Sequence, residues 1–227
     1  MTSTEPLPAI LDGLNPAQHA AVTYGDGPML ILAGPGSGKT RVITHRIAYL
    51  VRERHVPPWR ILAVTFTNKA AREMRERART LLGDDAKGLA MGTFHAMCAR
   101  WLRIDGKAIG ISPDFTVYDD ADQTALMKRI LEELHVDPRR FQPRAVLSAI
   151  SSAKSEMVTP DVFATRVKSY FDEVVGRAFE RYQAALRAAS ALDFDDLLTE
   201  TVRLFRESTE TLEKYAGRYL FVLVDEF

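Results

Sequence analysis

The stretch Gly34-Pro35-Gly36-Ser37-Gly38-Lys39-Thr40 gathers the residue types that hold a polyphosphate. Glycines let successive backbone N–H groups turn toward one anion, and a helix opening behind them adds the partial positive charge of its amino terminus. Lys39 supplies a mobile cation for the outer phosphates, and the Thr40 hydroxyl can ligate magnesium. Ala33 stands where the generic pattern has its first glycine, a small departure. A second cluster closes the chain, where the apolar Val222-Leu223-Val224 leads into Asp225 and Glu226. At the carboxyl edge of a parallel sheet, Asp225 would share the magnesium with Thr40. Side chains alternate along a strand, so Glu226 would point elsewhere, free to orient and deprotonate a water. The pair suits hydrolysis better than transfer to a bound hydroxyl. The loop alone specifies a nucleotide and no reaction, since a kinase, a GTPase and a motor all use one.

Such a loop needs a strand before it and a helix after it. Residues 29–33 are a continuous apolar run bounded by Gly27-Pro28 and by glycines, which predicts a strand buried on both faces. Beyond the loop Ile43, Ile47, Leu50 and Val51 fall on one helical face. Upstream, Asn15-Pro16 makes a helix start, with the helix running to about Val22. Residues 61–66 read as a second buried strand. Asn68 is expected to cap a helix that turns Ala71, Met74, Ala78 and Leu81 inward, residues 89–92 suit a short third strand, and helix resumes from Phe94 to about Lys107. This alternation predicts an α/β fold, a parallel sheet with crossover helices.

From Phe115 helices follow with little strand between them, starting at Asp119, Pro143 and Thr159-Pro160, then over 172–189 and 194–206. Residues 220–224 return to the composition of a central strand. The organisation expected is therefore a first segment, 1–114, a helical insertion, 115–189, and a return segment, 190–227. Asp193, Asp195 and Asp196 lead into an amphipathic helix and are expected to cap it rather than bind metal. Lys69, Arg72, Arg75, Arg77 and Arg79 are interleaved by Glu73 and Glu76, which suits a solvated helix face.

The 30 basic and 30 acidic side chains cancel, so any nucleic-acid site must be a local feature. Cys98 is the only cysteine, which excludes an intramolecular disulfide and a cysteine-rich metal site. The longest apolar runs are strand-sized and residues 1–18 carry no basic leader, so a cytoplasmic protein with no membrane partner is expected.

Six segments, in this order, resemble the UvrD, PcrA and Rep helicases of superfamily one: Leu14-Asn15-Pro16-Ala17-Gln18; 33–40 with Arg41-Val42; Ala63-Val64-Thr65-Phe66-Thr67-Asn68-Lys69-Ala70-Ala71; Gly92-Thr93-Phe94-His95; Leu192-Asp193-Phe194-Asp195-Asp196-Leu197; and Val224-Asp225-Glu226-Phe227. The resemblance implies a RecA-like ATP-binding domain carrying a mostly helical inserted subdomain, with ATP and Mg2+ as cofactors. It implies Gln18 at the adenine edge and Arg41 against the base. It implies Gly34, Pro35, Gly36, Ser37, Gly38, Lys39 and Thr40 around the phosphates, Thr40 and Asp225 on the metal, and Glu226 with Lys39 as the catalytic pair. It further implies that Thr65, Phe66, Thr67, Asn68, Thr93 and His95 meet single-stranded DNA, with Phe66 stacking on a base. The intact parent would be an ATP-dependent 3′-to-5′ helicase acting at junctions of single and double strands in repair or replication.

A natural domain seldom stops on an apolar central strand. The chain therefore reads as the amino-terminal part of a longer polypeptide, whose second RecA-like domain would complete the ATP site. On that expectation residues 1–227 alone bind nucleotide weakly and do not unwind DNA. Two other classes stay open at this level: a P-loop kinase or NTPase not acting on DNA, and a non-catalytic nucleotide-binding or interaction module.

Overall fold

The computed structural model describes residues 10–34, 36–137 and 139–225. The chain divides into two compact units, one within Met1–Met97 and Glu213–Phe227, the other Cys98–Leu212.

The first unit is a parallel sheet flanked by helices. Helix α1 (Pro16–Thr23) starts at an Asn15 capping box, in which the Asn15 side chain accepts from Gln18 N and the Gln18 side chain accepts from Asn15 N. Helix α2 (Lys39–Arg52) opens directly behind Gly38 and buries Val42, Ile47 and Leu50. Strand β1 (Ile61–Thr65) is buried along its whole length, since it is paired on both edges and covered by α2 and α3. Helix α3 (Asn68–Leu82) presents Ala71, Met74, Ala78, Leu81 and Leu82 to the core, and its arginine-rich face is exposed as expected. Its N-cap is Thr67, whose hydroxyl accepts from Ala70 N, so Asn68 is the first helical residue rather than the cap. Strand β2 (Ala90–Thr93) runs straight into helix α4 (Phe94–Asp105).

The sheet order is β2-β1-β5, all parallel, with β5 at Phe221–Val224. Two expectations fail here. Residues 29–33 form no ladder, and Leu30 and Leu32 are 70% and 89% exposed. In consequence β5 is an edge of the described sheet rather than a central strand, and Val222 is exposed. A cleft of about 760 Å³ lies between residues 29–33 and β5, walled by α2. Apolar composition states what a segment gains by burial; pairing also needs its backbone aligned with a partner, and here the Ala33 carbonyl is engaged by Lys39 Nζ instead.

The second unit is helical: α5 (Asp120–Glu133), α6 (Pro143–Ser155), α7 (Pro160–Ala164), α8 (Tyr170–Ala188) and α9 (Phe194–Glu207). A two-strand parallel pair joins β3 (Thr116–Val117) to β4 (Ala191–Leu192). The main core gathers Met127, Ile130, Val146, Ile150, Val174, Phe179 and Tyr182. Cys98, Leu102, Phe115, Leu197 and Leu204 form a smaller cluster, which draws residues on both sides of 115–189 into this unit. Strand β4 and helix α10 (Thr209–Arg218) were not anticipated, the former because two residues are too short for a periodicity to register. No described helix is long and apolar enough to cross a membrane.

Candidate functional site

Gly34 and residues 36–38 lie between the 29–33 segment and α2. Gly36 and Gly38 hold φ of 76° and 87°, left-handed values that glycine adopts without strain. Ser37 closes the turn through its N–H and its hydroxyl, both donating to the Gly34 carbonyl. Lys39 Nζ donates to the carbonyls of Ala33 and Gly34 at 3.0 and 3.1 Å. Its head is thus parked on the loop whose anion it would serve. Helix α2 carries no acidic residue in its first turn, and Gly38 offers no side-chain cap. Its first N–H groups therefore keep the capacity to bind an anion.

Thr40 and Asp225 meet. The Thr40 hydroxyl donates to Asp225 Oδ2 at 3.0 Å, across 185 residues of sequence. Asp225 follows β5 directly, and its N–H donates to the Val64 carbonyl at 2.9 Å, which fixes it to the carboxyl edge of β1. It is 2% exposed. A hydroxyl and a carboxylate oxygen side by side beneath an anion-binding turn form a donor set suited to a hard divalent cation such as magnesium. Pro35 and Glu226 lie outside the described residues.

Gln18 is the third arm of the site. Its Nε2 donates to the Ser37 carbonyl at 3.0 Å while its Oε1 serves the capping box. Each amide atom keeps one further hydrogen-bonding position. A Cβ at Gly38 would sit 3.0 Å from Gln18 Nε2, so the amide would have to shift by a few tenths of an ångström. Arg41 lies in the first turn of α2, its Nη2 reaching the Asp12 carbonyl at 3.5 Å.

Residues expected to meet a nucleic-acid strand gather at the same sheet edge. Thr65 ends β1 and is in register with Thr93, which ends β2. Phe66 is 55% exposed and lies 5.1 Å from the Phe94 ring in a tilted pair. Thr67 and Asn68 begin α3, and the Thr93 hydroxyl accepts from Ala96 N at the start of α4. His95 is half-exposed in the first turn of α4. Thr65 itself is fully buried and presents no accessible surface at this edge.

Two groups escaped the sequence reading. Buried His45 and Arg46 on α2 bind the chain before and after α1: His45 Nδ1 faces the Ile10 carbonyl, and Arg46 holds carbonyls of Val22, Tyr24 and Gly25. The signal was a charge on an apolar stripe, Arg46 falling between Val42 and Leu50 at helical spacing. In the helical unit, Lys154 Nζ pairs with Asp193 at 2.6 Å and Asp196 at 2.8 Å, all three buried. Asp193 does cap α9, as expected, and Tyr182 donates to its Oδ2. Burial pushes the Asp196 carboxyl up to about 6, against the opposing pull of Lys154.

The profile of the UvrD/REP helicase N-terminal domain matches residues 14–227. The chain is 50% identical over 218 residues to the ATP-dependent DNA helicase PcrA of Bacillus subtilis (strain 168), covering 96% of this chain and 30% of that protein. It is 46% identical over 219 residues to the PcrA proteins of Leuconostoc citreum and of Staphylococcus aureus (strain Mu50 / ATCC 700699), covering 96% of this chain and 29% and 30% of theirs. It therefore spans under a third of the length of these relatives. A domain profile met over nearly the whole chain, with its P-loop and carboxylate brought together in space, establishes that the chain belongs to the UvrD/REP helicase N-terminal domain family.

Proposed function

We propose that this chain is the ATP- and DNA-binding part of an ATP-dependent helicase that moves 3′ to 5′ along single-stranded DNA. The observation that carries the reading is the 3.0 Å contact between Thr40 and Asp225, which joins the phosphate-binding turn to the end of β5. Backbone N–H groups of residues 36–40 and Lys39 bind the phosphates, with Lys39 exchanging its loop carbonyls for phosphate oxygens. Thr40 and Asp225 would hold Mg2+, which when bound neutralises the charge of the triphosphate. Gln18 reads the adenine edge and Arg41 lies against the base. Glu226, next in sequence to Asp225, orients the attacking water and takes its proton.

Thr67, Asn68, Thr93 and His95 line the path of the strand's backbone, and Phe66 offers a face on which any base can stack. Residues 1–114 and 190–227 constitute the RecA-like domain, and 115–189 its insertion. The whole protein would work in the cytoplasm at single-strand/duplex junctions in repair or replication, with a second RecA-like domain closing on ATP. Titrating ATP·Mg and fluorescent oligo-dT against residues 1–227 tests this. Saturable binding of both is expected, with Lys39→Ala abolishing the first and sparing the second. An ATP affinity indifferent to Lys39 would refute the assignment.

A further inference from the structure

Helix α1 carries Gln18, yet little in its own composition holds it in place. It is eight residues long and buries one side chain, Val22. Helices that short do not persist in water without tertiary anchors. The anchors come from α2. Arg46 Nη1 donates to the Val22 carbonyl at 2.9 Å and to the Tyr24 carbonyl, and its Nη2 to the Gly25 carbonyl at 2.9 Å. The Val22 and Tyr24 carbonyls are among those a helix leaves unsatisfied at its carboxyl end, where the macrodipole also favours a cation, and Gly25 follows directly. The planar guanidinium suits them because it presents several donors in a fixed fork. Arg46 is 5% exposed, so no water substitutes readily for it. One residue earlier, His45 grips the Ile10 carbonyl as the Nδ1–H tautomer, and Arg41 reaches Asp12 on the same approach to α1.

The helix that follows the phosphate loop thus holds α1 at its far end, while Gln18 at its near end bonds the loop itself at Ser37. Resting on the nucleotide reading of the site, we propose that Arg46 is a positioning residue for nucleobase recognition: it ties α1 to the phosphate-loop helix so that Gln18 stands at a fixed height beside the bound base. Arg46 touches neither base nor phosphate in this arrangement. Its contribution falls on the base, because the phosphate-binding N–H groups lie on α2 and its loop, which α1 meets through the Gln18–Ser37 hydrogen bond and not through Arg46.

The test compares two ligands, ATP·Mg and inorganic tripolyphosphate·Mg, by calorimetric titration of residues 1–227. The expected result is that Arg46→Met weakens ATP by about tenfold, the worth of one lost hydrogen bond, and leaves tripolyphosphate unchanged. Gln18→Ala should cause a similar selective loss, and the double variant should lose no more than Gln18→Ala alone. Circular dichroism establishes folding; if Arg46→Met does not fold, Arg46→Lys decides, with an intermediate loss expected because an ammonium reaches fewer of the carbonyls. Equal weakening of both ligands, an unchanged ATP-to-tripolyphosphate ratio, or additive losses in the double variant would each overturn the positioning role while leaving the nucleotide site standing. A parent chain that binds neither ligand would refute the nucleotide reading itself.

Discussion

Single side chains at the sheet edge divide the labour between two ligands. Phe66 is exposed and pairs with the tilted Phe94 ring, so truncating it removes a stacking surface without opening the core. Phe66→Ala should weaken oligo-dT by about 1–3 kcal/mol and leave ATP affinity unchanged, as read by fluorescence anisotropy. Gly38→Ala acts on the other ligand. The substitution forces a left-handed residue and drives a methyl group toward Gln18 Nε2, so ATP affinity should fall at least tenfold and stability by about 1 kcal/mol in a urea melt. At this scale the candidate site was legible at Lys39, Thr40 and Asp225, because few residue types suit an anion or a metal, and the structure brings the last two together. Arg46 was less so: its sequence advertises an arginine on an apolar stripe, but its partners are backbone carbonyls, which have no residue identity to read.

At the level of elements, the helical unit is fastened by one buried cation between two buried carboxylates. Lys154 comes from α6, Asp193 and Asp196 from the start of α9, and Tyr182 from α8 adds its hydroxyl. Lys154→Met would leave both carboxylates buried without a counter-charge, and should cost about 3–5 kcal/mol in denaturant unfolding of this unit. The same cluster sets a pH dependence. Native Asp196 keeps its proton up to about 6, whereas the unfolded carboxyl releases it near its ordinary 3.8. The native state then binds the extra proton across that window, and the stability this group contributes declines as pH rises through it. Asp196→Asn should abolish that component, so its stability relative to the parent should improve steadily between about pH 4 and pH 7 in urea melts. The capping role of Asp193 was readable from the run of aspartates ahead of an amphipathic helix. Its lysine lies 39 residues away on another helix, a distance over which local pattern carries no information.

For the molecule as a whole, each of the two units has its own buried core. Nucleotide should therefore protect one of them selectively. In hydrogen exchange, saturating ATP·Mg should slow amides in residues 10–52 and 221–225 and leave α5, α6 and α8 unaffected; uniform slowing across the chain would contradict the placement of the ligand. Most helices and strands were legible in the sequence, because hydrophobic periodicity, caps and glycine positions act over a few residues, although 29–33 forms no strand and β4 and α10 gave no signal. The candidate chemistry was legible as well, since few residue combinations suit a triphosphate. Only the folded chain decided which strands paired, leaving 29–33 outside the ladder and β5 at its edge, because hydrogen-bonded pairing depends on backbone alignment between distant segments. It also decided that Thr40 meets Asp225, and that an arginine on one helix holds the end of another. Those contacts join residues remote in sequence, and only three-dimensional closure selects among the partners that composition permits.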